Sequence, residues 1–157
     1  MSLRVTSISQ SFPSAASTVD WSALLASIAA GFSCQAGTLH RLDPESKRLR
    51  LLAQQGIPEF LHDKIDGIPI GKGIAGAAAQ KAAPVQMCNL QTDNSGVARP
   101  DARLTKVEGT LAVPILTSDG AVCGVLGIGK LEPYDFPPDE IADLEAVATA
   151  VAALFHH

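Results

Sequence analysis

Thr110-Leu111-Ala112-Val113-Pro114-Ile115-Leu116, then Ser118-Asp119-Gly120, then Ala121-Val122-Cys123-Gly124-Val125-Leu126-Gly127-Ile128-Gly129-Lys130-Leu131: this stretch decides the fold. Two apolar runs flank an Asp-Gly pair, and Asp-Gly supplies the positive φ of a tight connection, so the segment reads as an antiparallel β-hairpin. Upstream, Thr38 to Leu42 and Arg48 to Ala53 flank Asp43-Pro44-Glu45-Ser46. There Pro presets φ and Asp bonds its own backbone, which gives a second hairpin. Val85 to Cys88 add a strand. Downstream, Pro137-Pro138 fix the first turn of a last helix, along which Ile141, Leu144, Ala148, Val151 and Phe155 keep a helical spacing. Near the other end, Ser17-x-x-Asp20 resembles a capping box, and Trp21, Leu24, Leu25, Ile28 and Phe32 follow as an amphipathic stripe that Gly31 or Gly37 ends.

Between the hairpins, Pro58 opens a short helix through Phe60, Leu61 and Ile65. Gly71-Lys72-Gly73 leads into a second one through Ala79, stopped by Pro84, whose alanines and Gly76 imply close packing on a sheet. The order of helix, two strands, small helices, three strands and helix predicts an α+β layer fold with an antiparallel sheet rather than βαβ units. Residues Met1 to about Ser17 are Ser-rich and without periodicity, so a flexible arm is expected over 1–17 and the folded domain over 18–155.

Of the 157 residues, 46% are hydrophobic and 18% charged, against about 25% charged in an average soluble domain, which predicts one domain around a real core and excludes a disordered chain. Twelve Lys plus Arg against sixteen Asp plus Glu give a net charge of -4, leaving no basic field to attract a phosphate backbone, so no nucleic-acid partner is expected. A bilayer span needs about 20 consecutive apolar residues, roughly twice the runs Leu24 to Phe32 and Ala146 to Phe155, so no membrane insertion is expected. Arg4 is followed by a polar stretch rather than an apolar one, unlike a secretory leader, and bulky Phe32 spoils a lipoprotein reading before Cys34. A cytoplasmic protein is expected. Cys34, Cys88 and Cys123, odd in number and far apart, suit neither a disulfide framework nor a metal site and read as reduced thiols.

Gly71-Lys72-Gly73-Ile74-Ala75-Gly76 matches the dinucleotide string Gly-x-Gly-x-x-Gly without its context, since the strand before it is tiny and Pro84 cuts the helix short. A phosphate-binding Walker loop fails by one residue between Gly67 and Gly71, and Gly73 stands where Ser or Thr should follow Lys72. Taken with Pro84-Val85, Gly109 to Ile115, Gly124 to Ile128 and Phe136-Pro137-Pro138-Asp139-Glu140, the stretch from Ile68 to Ala78 resembles a GAF domain in order and spacing from Val19 to Phe155. The resemblance implies a PAS-like central antiparallel sheet. N- and C-terminal helices would pack on one face, and loops plus short helices would form a small-molecule pocket on the other. It also implies a sensory or regulatory role without catalysis, exercised through a partner protein or a homodimer built on the terminal helices. The small-residue content of the first and last helices fits such a dimer.

Within that resemblance the subfamilies differ. Cyclic-nucleotide binders carry Asn-Lys and Phe, three residues, Asp-Glu; here Gly129-Lys130 replaces the first, and only two residues separate Phe136 from Asp139-Glu140, so that reading stays an alternative, with Lys130 and Asp139 a possible ion pair. Bilin binders attach at a Cys often followed by His, whereas these cysteines precede Gln35, Asn89 and Gly124. Free methionine-(R)-sulfoxide reductases resemble the glycine-rich segment closely, but Ala75 stands where they place a Cys, and Leu90 to Glu108 holds none. A reductase-like use of Cys88 and Cys123 is the second alternative. Haem-binding members use His, and neither His40 nor His62 has a second ligand at a telling spacing.

The segment Asn89 to Gly109 lacks periodicity, and a structureless stretch of that length in a compact domain is usually functional. Gly96 and Pro100 shape it, while Asp93, Asn94, Ser95, Arg99 and Arg103 offer acceptors and donors, Arg through paired bonds to a carboxylate or phosphate. Its Cys88-Asn89-x-Gln91-Thr92-Asp93-x-Ser95-Gly96 and Arg99-Pro100 runs resemble those of small standalone GAF proteins. The expected ligand site is this loop with His40 and Thr110 from the strands. No catalytic or metal-ligating residue is expected, and the ligand's identity and any cofactor stay open.

Overall fold

A computed structural model describes residues 2–13, 18–92, 95–97 and 104–155. In chain order these form α1 (Leu3–Ser9), α2 (Trp21–Gly31), β1 (Ala36–Asp43), β2 (Arg48–Gln55), a 3-10 helix (Glu59–Ile65), β3 (Ile68–Pro69), α3 (Gly73–Lys81), β4 (Val85–Met87), β5 (Gly109–Leu116), β6 (Val122–Lys130) and α4 (Pro138–Leu154). The strands make one antiparallel sheet in the order β3-β2-β1-β6-β5-β4, so the fold is the α+β antiparallel one that the sequence pattern predicts. Both hairpins form, with Asp43 opposite Arg48 in the first and Val113 opposite Leu126 in the second, and β1 joins them by pairing Leu39 with Leu126.

Strand alternation divides the sheet into two apolar faces. On one, Leu39, Leu111, Val113, Ile115, Leu126 and Ile128 pack with Leu25 and Ile28 of α2 and Leu144, Val147 and Val151 of α4 to form the main core. On the other, Leu49, Ala112 and Val125 meet Ala78 and Ala79 of α3 in a smaller cluster. The small residues of α3 are needed for that approach: a Cβ at Gly76 would stand 2.6 Å from the Pro69 carbonyl oxygen.

Helix α2 begins at Trp21 because Asp20 caps it, accepting the Ala23 N–H at 3.1 Å, so Asp20 is itself the N-cap rather than the acid of a capping box. Its other end is tied by Lys130, whose Nζ donates to the Phe32 and Ser33 carbonyls at 3.1 Å each and lies over the Tyr134 ring. Free carbonyls at a helix C-terminus attract a cation, and this places Lys130 at the end of α2 rather than in an ion pair with Asp139.

Within 1–17, where the sequence leads to the expectation of a flexible arm, the described residues are 2–13. Leu3–Ser9 is helical, capped by Ser2 Oγ, with Val5 and Ile8 buried in the main core and Arg4 bonded to Asp143 of α4. Ile8 seats over Gly31, where a Cβ would come within 2.5 Å of Ile8 Cδ1. Seven residues make about two turns, too few for the 3.6-residue period to show among serines. Among the described residues, no helix is long and apolar enough to cross a membrane.

Candidate functional site

A cavity of about 160 Å³ opens on the α3 face of the sheet. Its floor comes from alternate residues of three central strands: Ala36, Thr38 and His40 of β1, Gly127 and Gly129 of β6, and Thr110 and Ala112 of β5. Leu61, Lys64 and Ile65 of the 3-10 helix, the first turn of α3 and the loop residues Leu90, Thr105 and Val107 cover it. The glycines keep it open: Gly127 faces Thr38 across the ladder, and a Cβ at Gly129 would stand 2.6 Å from Val107 Cγ1.

His40 dominates the polar part of the wall. Strand alternation points Leu39 into the main core and His40 into the cavity, and the bulge beside them in the β1–β2 ladder falls on β2, where Leu52 is the extra residue. Only 1% of the residue is exposed. Its Nε2 lies 2.7 Å from the Ile65 carbonyl oxygen, which can only accept, so Nε2 carries the proton. Burial holds the imidazole pKa below the usual histidine value, against the opposing pull of the Ile65 carbonyl and the Asp66 charge. The neutral ring leaves Nδ1 as an acceptor, and Nδ1 has no hydrogen-bond partner. Thr110 donates from Oγ1 to the Ile128 carbonyl at 3.2 Å and keeps acceptor capacity toward the cavity.

Two sequence-derived site residues, His40 and Thr110, therefore meet at one cavity. Ser95 does not line it: the residue is exposed, and its Oγ accepts the Val97 N–H at 3.3 Å. Asp93, Asn94, Arg99 and Arg103 lie outside the described residues. The ends of their loop are clasped together, since Leu90 N–H donates to the Glu108 carbonyl at 2.7 Å and Gln91 Nε2 donates to the Thr105 and Val107 carbonyls at 2.9 and 2.8 Å. Thr38 was legible by its two-residue offset from His40. The apolar cover was not, because Leu61, Ile65, Ile74 and Val107 look like ordinary core residues.

None of the three cysteines lines the cavity. Cys34 is buried, and burial pushes its thiol up to about 11. Cys123 is half-buried and also raised by desolvation, while Cys88 is exposed.

One antiparallel sheet with terminal helices on one face, and short helices over a cavity on the other, defines a small α+β module of PAS-like architecture. The sequence profile of the GAF domain matches residues 20–156, and the chain belongs to that family, whose members typically serve as ligand-binding regulatory modules. Among solved structures, the GAF domain of a phosphoenolpyruvate-protein phosphotransferase from Coxiella burnetii superposes with a TM-score of 0.77 at 22% identity, covering 98% of this chain and 91% of that one. The corresponding Acinetobacter domain gives 0.75 at 19% identity over 98% and 91%. Free methionine-R-sulfoxide reductase from Neisseria meningitidis, in complex with its substrate, gives 0.74 at 24% over 98% and 89%. At these identities the likeness speaks to the fold. No curated protein sequence gives a significant match.

Proposed function

We propose that this chain is a non-catalytic sensory GAF domain in the cytoplasm that binds a small molecule in the cavity floored by His40 and Thr110. The loop residues Asp93, Asn94, Ser95, Arg99 and Arg103 close over the ligand. Occupancy is passed on through a homodimer of terminal helices or through a partner protein. The observation that carries this reading is a largely apolar cavity lined by His40, whose covered Nδ1 has no hydrogen-bond partner, since apolar pockets with a few polar groups typically hold ligands. A panel of cyclic nucleotides, amino acids, methionine sulfoxide and 2-oxo acids tests it by thermal shift, because a ligand of the folded state raises Tm by mass action. At least one member is expected to raise Tm, and Arg99→Ala or Asp93→Ala to weaken the effect. A panel without any response turns the reading toward a pure interaction module.

The reductase alternative rests on the Neisseria likeness, yet sulfoxide reduction needs a thiolate at the substrate, and the three thiols lie off the cavity. Incubation with free methionine sulfoxide and a thiol reductant is expected to give no turnover. Turnover abolished by Cys88→Ser or Cys123→Ser would establish the enzyme instead.

A further inference from the structure

Among the described residues, His40 Nδ1 is the single buried side-chain nitrogen or oxygen without a hydrogen-bond partner. Buried polar atoms in folded proteins are paired almost without exception, so an orphan at a cavity wall marks a place built for something to complete it. What completes it must be a donor, because the Ile65 carbonyl fixes the proton on Nε2 and leaves Nδ1 a lone pair. The remaining wall selects the rest of the molecule. Leu61, Ile65, Ile74, Leu90 and Val107 present carbon, and among the described lining residues Lys64, on the exposed side of the 3-10 helix, is the one formally charged side chain. The volume of about 160 Å³ matches an apolar cavity of about 150 Å³ known to hold benzene.

Resting on the ligand-pocket reading above, we propose that the cavity takes an uncharged molecule about the size of one aromatic ring, carrying one N–H or O–H that it donates to His40 Nδ1. Nδ1 is itself covered, so the same proposal has the imidazole turn on binding to bring this atom to the cavity, with its Nε2 bond to Ile65 kept. Thr38, two residues along the same face of β1, offers a hydroxyl beside it. A cation of this size would lose its hydration against carbon with no opposite charge among the described lining residues, and an anion would meet only Lys64, which is exposed to solvent.

Phenol and toluene separate this proposal from simple apolar filling. They share a ring and differ by hydroxyl against methyl, and an apolar cavity alone prefers toluene, since phenol must shed water from its hydroxyl. Titration of the intact chain is expected to show phenol binding about tenfold more tightly than toluene, the scale of one hydrogen bond. In the same titration, the ¹⁵N resonance of His40 Nδ1 should move away from its free-acceptor position with phenol and stay put with toluene. His40→Leu should reverse the preference, and where that variant does not fold, the wild-type Nδ1 resonance decides. Toluene binding as tightly as phenol, or an unmoved Nδ1 resonance at phenol saturation, overturns the donor proposal and leaves the pocket reading standing. Binding of a larger panel member with none by phenol does the same. Failure of the whole panel and both probes overturns the two together.

Discussion

Gly124→Ala puts one methyl group at the seam where the two hairpins join. Gly124 lies opposite Arg41 in the β1–β6 ladder, and a Cβ there would stand 2.3 Å from the His40 carbonyl oxygen, 3.0 Å from Phe155 Cε2 and 3.2 Å from Ile115 Cδ1. The first neighbour is backbone in the middle of the sheet and cannot swing aside, and the other two are held in the main core. Overpacking of this kind costs about 1–3 kcal/mol, and clash with a main-chain atom puts it at the upper end. Removing a glycine from the unfolded chain returns about 0.4–1 kcal/mol, so a net loss of about 2 kcal/mol is expected. At about 2–4 °C per kcal/mol for a domain of this size, that is a fall in Tm of about 4–8 °C. The Gly31→Ala variant is the comparison: its Cβ meets Ile8 Cδ1 at 2.5 Å and Cγ1 at 2.6 Å, side-chain atoms rather than sheet backbone, so its loss should be the smaller of the two. Urea denaturation read by the shift in midpoint at constant slope measures both. A Gly124→Ala chain as stable as its parent, or less affected than Gly31→Ala, would refute the claim that the β1–β6 seam depends on the missing side chain.

His40 makes stability pH-dependent. Its folded pKa lies below the unfolded value of about 6.5, so the unfolded chain binds the extra proton first, and stability should decline as pH falls below about 6.5 and be insensitive to this group above it. Denaturation midpoints from pH 7.5 to 5 in the parent and in His40→Leu measure that contribution as the difference in slope. A thiol reagent at neutral pH should label exposed Cys88 rapidly and buried Cys34, with its pKa of about 11, only after unfolding, as mass spectrometry of timed samples would show. Asp20→Ala should cost about 0.5–2 kcal/mol by leaving the first turn of α2 uncapped, and Asp20→Asn should recover most of it in the same urea assay.

The two hairpins were legible because their turns carry their own chemistry: Asp119-Gly120, with Gly120 at φ +86°, and Asp43-Pro44, where Asp43 Oδ2 accepts the Ser46 hydroxyl. Helices α2 and α4 were legible because each is long enough for its apolar period to repeat. Helix α1 was hidden, since two buried residues three apart, Val5 and Ile8, carry no period until Gly31 supplies the groove that receives them. The site divides similarly. His40 and Thr110, singled out as polar residues on strands, both line the cavity. The carbon wall was not legible, because an isoleucine facing a cavity and one facing a core have the same sequence signature. Only the fit of the 3-10 helix and the first turn of α3 over Gly127 and Gly129 tells them apart.

The clasp at residues 90–91 and 105–108 has a bearing on how such a chain diversifies. Its bonds run from Leu90 and Gln91 to main-chain carbonyls, so they ask nothing of the side chains beyond the neck. Closure entropy grows only logarithmically, by about 0.6 kcal/mol per doubling of loop length. A change of length between the two ends should therefore cost the sheet little, with the clasp, His40 and the carbon wall keeping their places. New binding preferences can accumulate between those ends without the scaffold having to be re-evolved.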